Sequence, residues 1–563
     1  MPARRSRLAA LALACLTSVT ACLPGREPEA STGDVPLGWE AIFGGERPLD
    51  TLVTGEWWRL GPNPIVKLDV PRDSTLAFAL YTVAGDTLSL SVQLYPLYPD
   101  EPREVTLELT SGAAYEGIFS AAIIDTGWAA QFHVVDSAAG FSSAERVSES
   151  PLRYRLTHGT STYAGVIRSA PAPGEETVIA ALSCNSNRDR GDRDEYRRAL
   201  AYHDPDLLFF AGDQSYDHTE HTAAWLKWGR QFGELCRDRP CVTIPDDHDV
   251  GQYNLWGAGG GRASDQTGAD GGYTFSPAYV RMVERAQTAH LPEPYDPTPI
   301  AGGIGAYYTS LAWGGADLAI VEDRKWKSAP AGTVPQRGPR PDHITDPDYD
   351  PADIDLPGLT LLGERQLGFL RAWGARESAG RQRIVLSQTG FCGGAHLHGP
   401  EAERLYADLD ANGWPQAGRR RALEAIRAAD AIHVAGDQHL ATVVRHGIDT
   451  FGDGPWAFVV PAVVNDVYSR WWWPEGAAAA DTVGEAQPWT GNYYDGFGNP
   501  ITMRAYANPD GPSAGEGYGI VRIGPAPGRE VTFECWPRYV DPAEGEQFAG
   551  WPVTVAADGE RLR

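Results

Sequence analysis

Residues 206–217 of the chain read DLLFFAGDQSYD, and residues 431–440 read AIHVAGDQHL. In each stretch an apolar run of strand length stops at a glycine that is followed by an aspartate, Asp213 in the first and Asp437 in the second. Such runs are typical of parallel strands that are buried on both faces. Open α/β sheets bind their ligands at the carboxyl ends of these strands, so both aspartates are candidate ligand-binding residues. The two stretches therefore predict an α/β fold with a binding site at one sheet edge.

Two further apolar runs end in residues that bind metal ions. Residues 179–185 read IAALSCN, and residues 244–249 read IPDDHD. They add the thiol of Cys184 and a group of carboxylates with one imidazole. Because thiolates, carboxylates and imidazoles are all metal ligands, the four strand ends together predict one metal site that is assembled from distant parts of the chain.

The length of 563 residues exceeds what one hydrophobic core usually supports, so two domains are expected. Between residues 50 and 172, short alternating segments such as 75–81 and 87–94 predict a small β-sandwich of the immunoglobulin or fibronectin kind. Residues 171–174 read PAPG, which suits a domain boundary. Strands and helices then alternate over residues 176–550, which predicts an α/β domain.

The first residues have the order of an export signal. Arginines within residues 1–7 precede the apolar stretch 8–16, and small residues lead to Cys22. This order predicts a lipoprotein signal over residues 1–21, with Cys22 lipidated and residues 22–49 as a tether. A plain secretory signal with a chance Cys22 is the alternative, and an adjacent arginine pair leaves the twin-arginine route open beside the general one. The protein is therefore expected to be exported to the cell envelope, the periplasm or the outside.

The composition excludes several classes of partner. The formal net charge is −26, and the sequence has no basic stripe. Nucleic acids and anionic membrane surfaces are therefore not expected as partners. Since no internal run is long enough to span a bilayer, we expect membrane contact only through the lipid on Cys22. The oligomeric state stays open.

The cysteines beyond Cys22 are odd in number: Cys184, Cys236, Cys241, Cys392 and Cys535. Cys236 and Cys241 flank four residues and are spaced for a small disulfide loop in an oxidising compartment, although spacing alone does not prove the connectivity. Cys184, at its strand end, is then the residue expected to stay unpaired.

The residues suit a metal pair that hydrolyses phosphate esters, which requires a carboxylate between two ions and an activated water. Asp213 is the best candidate for that carboxylate, and Tyr216 with Cys184 suits ferric iron. Asp437 and His439, separated by one residue, are expected to face the same site. The remaining roles are assigned within residues 246–249, the third motif along the chain. Asp247 is expected to bind the second ion and His248 to protonate the leaving oxygen.

This set of motifs resembles the calcineurin-like metallophosphoesterases and, within them, the alkaline phosphatase D (PhoD-like) family, over about residues 178–470. The resemblance implies a metallophosphoesterase-type α/β sandwich that hydrolyses phosphate mono- or diesters with a metal-bound hydroxide. It also implies Fe³⁺ at Cys184, Asp213 and Tyr216 and Ca²⁺ as the partner metal, with Mn²⁺ or Zn²⁺ also suiting the second ion. A small phosphate ester is the expected substrate.

The sequence departs from the family pattern at two places. The asparagine-rich stretch after the third motif reads VGQYN over residues 250–254, which leaves Asn254 as a weak candidate ligand. On the strand before the last motif, Gln388 stands near the place where the family often has a histidine.

Other residues keep two interpretations. Arg324, after the strand 318–321, suits either a grip on a phosphate oxygen or a structural salt bridge. His396 and His398 suit either a supplementary ligand pair or a solvated loop. The aromatic residues Trp471 to Trp473 suit either stacking on an organic group or ordinary packing.

The sequence leaves two functional alternatives to a phosphoesterase. One is an inactive surface lipoprotein that binds a ligand on the same fold. The other is a metal enzyme that acts on a different ester or halide, which fold analogy does not exclude.

Overall fold

The computed structural model describes most of the chain after the predicted tether. The export signal predicted over residues 1–21 and the tether predicted over 22–49 lie outside the described residues. Within the described part, no helix has both the length and the apolar composition needed to cross a membrane. The described ranges are 50–110, 117–135, 152–399, 401–465, 469–471, 487–508, 512–525 and 530–556.

Two small antiparallel sheets face each other in the N-terminal part. One has the strand order β1-β2-β5 and the other β4-β3-β6-β7, and their inward side chains, among them Leu90, Leu107 and Leu156, form one buried cluster. The predicted β-sandwich is therefore confirmed. Its strands are β1 (Leu76–Ala84), β2 (Thr87–Leu94), β3 (Glu104–Thr110), β4 (Gly117–Ala122), β5 (Ala129–Val135), β6 (Leu152–His158) and β7 (Ser161–Ile167).

The rest of the described chain alternates between strands and helices. The helices are α1 (Asp194–His203), α2 (His221–Cys236), α3 (Pro277–Thr288), α4 (Gly363–Ala375) and α5 (Gln416–Ala428). The strands are β8 (Thr177–Asn185), β9 (Leu207–Phe210), β10 (Cys241–Thr243), β11 (Thr309–Trp313), β12 (Ala316–Ile320), β13 (His343–Ile344), β14 (Gln382–Thr389), β15 (Leu397–His398), β16 (Glu403–Arg404), β17 (Ala407–Asp408), β18 (Ala431–Gly436), β19 (Thr442–His446), β20 (Trp456–Val459), β21 (Ala462–Val464), β22 (Ser469–Arg470), β23 (Gly491–Tyr494), β24 (Pro500–Tyr506), β25 (Gly517–Ile523), β26 (Glu530–Pro537) and β27 (Val553–Ala556).

Two large mixed sheets pack against each other. The first has the order β10-β9-β8-β25-β26-β27, with β21 also paired to β8, and the second has the order β11-β12-β14-β18-β20-β19-β24-β23. Strands β8, β9 and β10 are mutually parallel, as are β12, β14, β18 and β20. Phe209 of the first sheet and Val434 of the second belong to the one apolar core between them.

Helices cover the outer faces of both sheets. On the first sheet, α1 and α2 place Leu200 and Trp228 against Phe210. On the second sheet, α4 and α5 place Leu370 and Leu423 in one cluster with the strand residues there. Two sheets between two helical layers form the metallophosphoesterase-type α/β sandwich that the family resemblance implies.

Helix α2 belongs to the hydrophobic cores of both parts of the protein. Its residues Ala223 and Leu226 lie in the cluster of the β-sandwich, whereas Trp228 and Phe232 lie in the cluster of the first large sheet. The domain boundaries expected at residues 50–172 and 176–550 stay predictions. Helix α2, which belongs to the second range, packs directly against β1 of the first range.

The disulfide expected between Cys236 and Cys241 is wrong for this structure. All the described cysteines, these two included, are free and buried thiols. Cys236 ends α2 and Cys241 begins β10, and both lie in an apolar cluster. Buried thiols in such surroundings act as small apolar side chains, so the pair contributes packing without a covalent bond.

Gly229 of α2 lies so close to Phe78 of β1 that an added β-carbon would overlap the phenyl ring. We expect Gly229→Ala to lower the free energy of unfolding by about 1–3 kcal/mol, because overpacking separates the two elements. Gly368 in α4 is the matched control, since no described atom would lie within 4 Å of its added carbon. Gly368→Ala should raise the free energy of unfolding by about 0.5–1 kcal/mol. Urea denaturation measures both variants, and equal shifts would contradict the packing described here.

Candidate metal centre

The predicted ligands meet at the carboxyl ends of β8, β9, β10 and β18. The ligand atoms in each of three groups lie within 4.8 Å of one another. Asp213 belongs to two of these groups, so its carboxylate lies between them, as expected for a ligand shared by two ions. The groups are Cys184 with Asp213 and His439, Asp213 with Asp247 and His248, and Asp246 with Asp247 and Asp437.

The backbone of the centre is strained. Cys184, Asp213, Asp437 and His439 all have positive φ angles, at 57°, 57°, 68° and 53°. Side chains at such angles cost roughly 1–3 kcal/mol each and persist only where the surroundings hold them in place. Gly212, at φ 108°, has space for no side chain, because a β-carbon would lie 2.5 Å from that of Asp246. The turns are therefore held in the conformation that directs the ligands together.

Tyr216 connects Asp213 with His439. Its hydroxyl donates to Asp213 Oδ2 at 3.0 Å and lies 3.0 Å from Nε2 of His439. The other imidazole nitrogen, Nδ1 of His439, lies 2.7 Å from Oδ1 of Asn465. Asn465 was not predicted from the sequence, although it follows the apolar strand β21 just as the other site residues follow their strands.

Asp249 holds the turn at Asp213 against the loop of residues 246–249. Its carboxylate accepts the backbone N–H groups of Asp213 and Asp246, both at 2.9 Å, and of Gln214 at 3.0 Å. Gln388, which stands where the family often has a histidine, is occupied elsewhere: its amide donates to Pro245 O at 2.9 Å and accepts from a backbone N–H at 3.0 Å. Gln388 therefore links loops and is not a replacement ligand in this arrangement.

His248 lies between two aromatic rings. It stacks on Tyr216 with ring centroids 3.8 Å apart, and its Nδ1 lies 2.5 Å from Nε2 of His218. Burial, followed by the neighbouring His218, lowers the pKa of His248 well below its ordinary value. The contact with His218 thus occupies Nδ1 of His248. His218 belongs to none of the sequence motifs, although it stands only two positions after Tyr216.

The charge of the centre indicates whether a metal fits. Burial and then neighbouring carboxylates raise the pKa values of Asp213 and Asp247 well above the ordinary value. Burial and the charge of Asp213 likewise raise the pKa values of the Cys184 thiol and the Tyr216 phenol. Such a set is costly without positive charge, and a bound cation reverses these shifts. Thiol, phenol, carboxylate and imidazole donors together fit transition-metal ions.

A cavity of about 830 Å³ opens onto the centre. It is wide enough for an organic ester and not only for a phosphate group. The members of the centre that line it are Asp213, Tyr216, Asp247, His248, Asp437 and His439. Arg188 and Arg190 also line it, and Arg190 forms a two-pronged ion pair with Asp217 at 2.7 and 3.0 Å.

Arg324 is buried among carboxylates. It is 1% exposed and is not among the described residues that line the cavity. Its guanidinium pairs with Asp246 at 2.7 Å, Asp410 at 2.6 Å and Asp437 at 2.9 Å. This geometry favours the structural salt bridge over the predicted grip on a phosphate oxygen, because the donors that a phosphate needs are already used.

The other candidates from the sequence lie around the cavity. Asn254 lines it but donates to Asp342 at 2.9 Å. His398 also lines it, whereas His396 is 2% exposed and packs on Trp471, with ring centroids 5.1 Å apart. Trp471 is wholly buried, which favours packing for this residue, and Trp472 with Trp473 lies outside the described residues.

A further group that suits a metal, Asp342 with His343 and Asp408, forms part of the same region. Its charge is already compensated in part, because Asp342 pairs with Arg340 at 2.9 Å and accepts from Asn254. The group is therefore a weaker candidate than the strand-end centre.

Comparisons with known proteins agree with this geometry. Residues 226–470 match the model of the PhoD-like phosphatase family. A solved structure described as that of PhoD is similar at a TM-score of 0.59 with 16% identity, covering 88% of this chain and 93% of that chain. Residues 226–470 are a PhoD-like phosphatase domain. The match supports metal-dependent hydrolysis of phosphoric esters, and the matched range contains Asp247, His248, Asp437 and His439.

The other comparisons add less. A purple acid phosphatase from seeds of yellow lupin (Lupinus luteus) is similar at a TM-score of 0.49 and 11% identity, covering 85% of this chain and 73% of that chain. No curated protein sequence matches at a significant level. Cys184, Asp213 and Tyr216 precede the residues that match the PhoD-like model, so their membership of the centre depends on the structure alone.

Arg324→Gln tests the structural role of this side chain. Because Asp246, Asp410 and Asp437 would lose their shared counter-charge, we expect the free energy of unfolding of the metal-free protein to fall by about 3–5 kcal/mol. Arg420→Gln is the control, since Arg420 is 48% exposed in its pair with Asp449, and such pairs contribute about 0–1 kcal/mol. Unchanged stability together with a raised KM would instead assign Arg324 to phosphate binding.

Proposed function

We propose that this protein hydrolyses phosphate mono- or diesters at an iron-containing centre of two or three metal ions. The observation that carries the proposal is the position of Asp213, whose carboxylate is shared by two groups of potential ligands. Fe³⁺ is proposed at Cys184, Asp213, Tyr216 and His439, because a highly charged ion favours the ionised thiol and phenol.

The second ion is proposed at Asp213, Asp247 and Asp437. Its oxygen ligands suit Ca²⁺, and Mn²⁺ or Zn²⁺ are alternatives. When bound, such ions polarise phosphate oxygens and lower the pKa of water, which supplies the nucleophile at neutral pH.

The side chains of the cavity have separate tasks in this proposal. His248 offers Nε2 to the leaving oxygen, since its Nδ1 faces His218 at 2.5 Å. Arg190, whose side chain is 43% exposed beside the cavity, supplies positive charge near the entering phosphate. Arg324 keeps Asp246 and Asp437 in place through its ion pairs.

The alternative of an inactive binding lipoprotein gains no support from these observations. A ligand-binding role would not require six potential metal ligands around one cavity, three of which, Asp213, Asp437 and His439, have strained backbone conformations. We also propose that the protein is exported and anchored through a lipid on Cys22, on the basis of the sequence order at residues 1–22. Mass spectrometry of the membrane fraction of the native host tests this proposal, and an unmodified Cys22 would contradict it.

Asp213→Asn tests the proposed shared ligand. We expect metal content and hydrolysis of both a generic phosphomonoester and a phosphodiester to be lost together, because the amide brings no negative charge between the ions. Elemental analysis and product release measure the two properties. Asp449→Asn is the matched control, as the Asp449 side chain is 64% exposed. Full activity of Asp213→Asn would show that the shared ligand is assigned wrongly, and a wild-type protein with neither metal nor activity would contradict the proposed function.

His248→Asn tests proton donation to the leaving oxygen. For an alkyl phosphate, whose leaving group needs a proton, we expect kcat to fall by about 10²–10⁴-fold. For p-nitrophenyl phosphate the loss should be much smaller, because its leaving group departs as an anion. His133→Asn, at a histidine whose side chain is 40% exposed in β5, is the control. Equal losses on both substrates would indicate that His248 orients groups but donates no proton.

A further inference from the structure

One wall of the cavity comes from the segment that precedes the β-sandwich. Within residues 57–65, Trp57, Leu60, Pro62, Pro64 and Ile65 line the cavity that opens onto the metal centre. These side chains are apolar. The charged residue of the stretch, Arg59, pairs with Glu56 at 2.7 Å and is not among the described residues that line the cavity.

Hydrogen bonds from both parts of the protein fix this segment. Asp50, which is wholly buried, accepts the backbone N–H of Thr222 in α2 at 2.5 Å. Thr51 donates its N–H and its hydroxyl to the carboxylate of Glu220, just before the same helix. The indole of Trp128 donates to Leu52 O at 2.6 Å. The start of the wall is therefore tied to α2 and to the β-sandwich.

Hydrogen bonds and a ring contact also fix the residues that line the cavity. The indole of Trp57 donates to Leu97 O at 3.0 Å, and its ring packs on Tyr98 with centroids 5.1 Å apart. Asn63 Oδ1 accepts the backbone N–H of Ile65 at 2.8 Å, which fixes the turn that presents Pro62 and Pro64. The wall is thus preformed, and a ligand that contacts it has little chain entropy to overcome.

The two sides of the cavity differ in chemistry. Carboxylates and imidazoles line the side of the metal centre, whereas the side of residues 57–65 presents mainly apolar carbon, with Asn63 as its one polar lining side chain. A volume of about 830 Å³ lies in the upper part of the range of sites for drug-sized organic ligands. A phosphate group alone fills only a small part of it.

We propose that residues 57–65 form a subsite for an apolar organic group, alkyl or aryl, that is esterified to the phosphate. This inference rests on the proposed phosphoesterase function for the position of the phosphate. The substrate would then be an ester with a neutral hydrophobic part, bound with its phosphate at the metal centre and its carbon chain along Trp57, Pro62 and Ile65.

Binding of alkylphosphonates tests the subsite without turnover. Calorimetry on the metal-loaded full-length protein compares methyl-, butyl- and hexylphosphonate. We expect the affinity to rise about two- to fourfold for each methylene that the wall covers. In parallel, kcat/KM is measured for methyl and hexyl p-nitrophenyl phosphodiesters, and it should rise with chain length in the same way.

Variants at Ile65 locate the effect. Ile65→Asp places a charge in the wall and should remove at least tenfold of the gain from methyl to hexyl, whereas Ile65→Leu should keep it. Ile118→Asp is the matched control, because Ile118 is a 68% exposed residue of β4 and is not among the described residues that line the cavity. Thermal melting of each variant checks that it is folded.

The outcomes separate the subsite from the proposed function. Equal affinities for all chain lengths, or no phosphonate binding at all, would overturn the subsite. A gain with chain length that Ile65→Asp leaves intact would place the organic group elsewhere and would also overturn it. Hydrolysis of methyl esters in either case would leave the proposed function standing. Chain-dependent binding without hydrolysis of any ester would support the subsite and contradict the function.

Discussion

Repulsion among buried carboxylates is the constraint on which the rest of the structure depends. Asp213, Asp246, Asp247 and Asp437 lie at the adjoining edges of two packed sheets, where burial raises their pKa values. Arg324 acts against this repulsion through its ion pairs with Asp246 and Asp437. An arrangement that is costly when empty becomes favourable around cations, because each carboxylate then gains a partner.

The parts of the centre that follow local patterns were predictable from the sequence. An apolar run that ends in Gly-Asp indicates both a buried strand and the direction of the next side chain, so Asp213 and Asp437 could be placed without a structure. Alternation of strands and helices predicted the α/β class, whereas the two-sheet sandwich was implied by the family resemblance. The iron and calcium assignments came from the family resemblance and stay predictions, since the described residues define donors but not the ion.

Other features depend on distances between remote parts of the chain, which a single sequence does not contain. The ion pairs of Arg324 with Asp246 and Asp410 form only after three loops have met, so the pattern at residues 318–324 left its role open. The contact between His218 and His248 likewise forms only when separate loops meet in the folded chain. The disulfide expected at Cys236 failed because spacing along the chain does not show that the thiols pack as apolar groups. The apolar wall at residues 57–65 precedes the first predicted strand and had no pattern of its own.

Helix α2 gives the order in which the enzyme is completed during synthesis. The β-sandwich and residues 50–65 leave the ribosome first, but the residues that fasten them, Glu220 and Thr222, follow more than 150 positions later. Until α2 forms, the sandwich exposes Phe78 and neighbouring apolar residues that the helix covers. The nascent N-terminal part is thus unfinished and needs protection from aggregation. Under the export proposed above, this dependence favours either a chaperone-held unfolded state or complete folding before translocation.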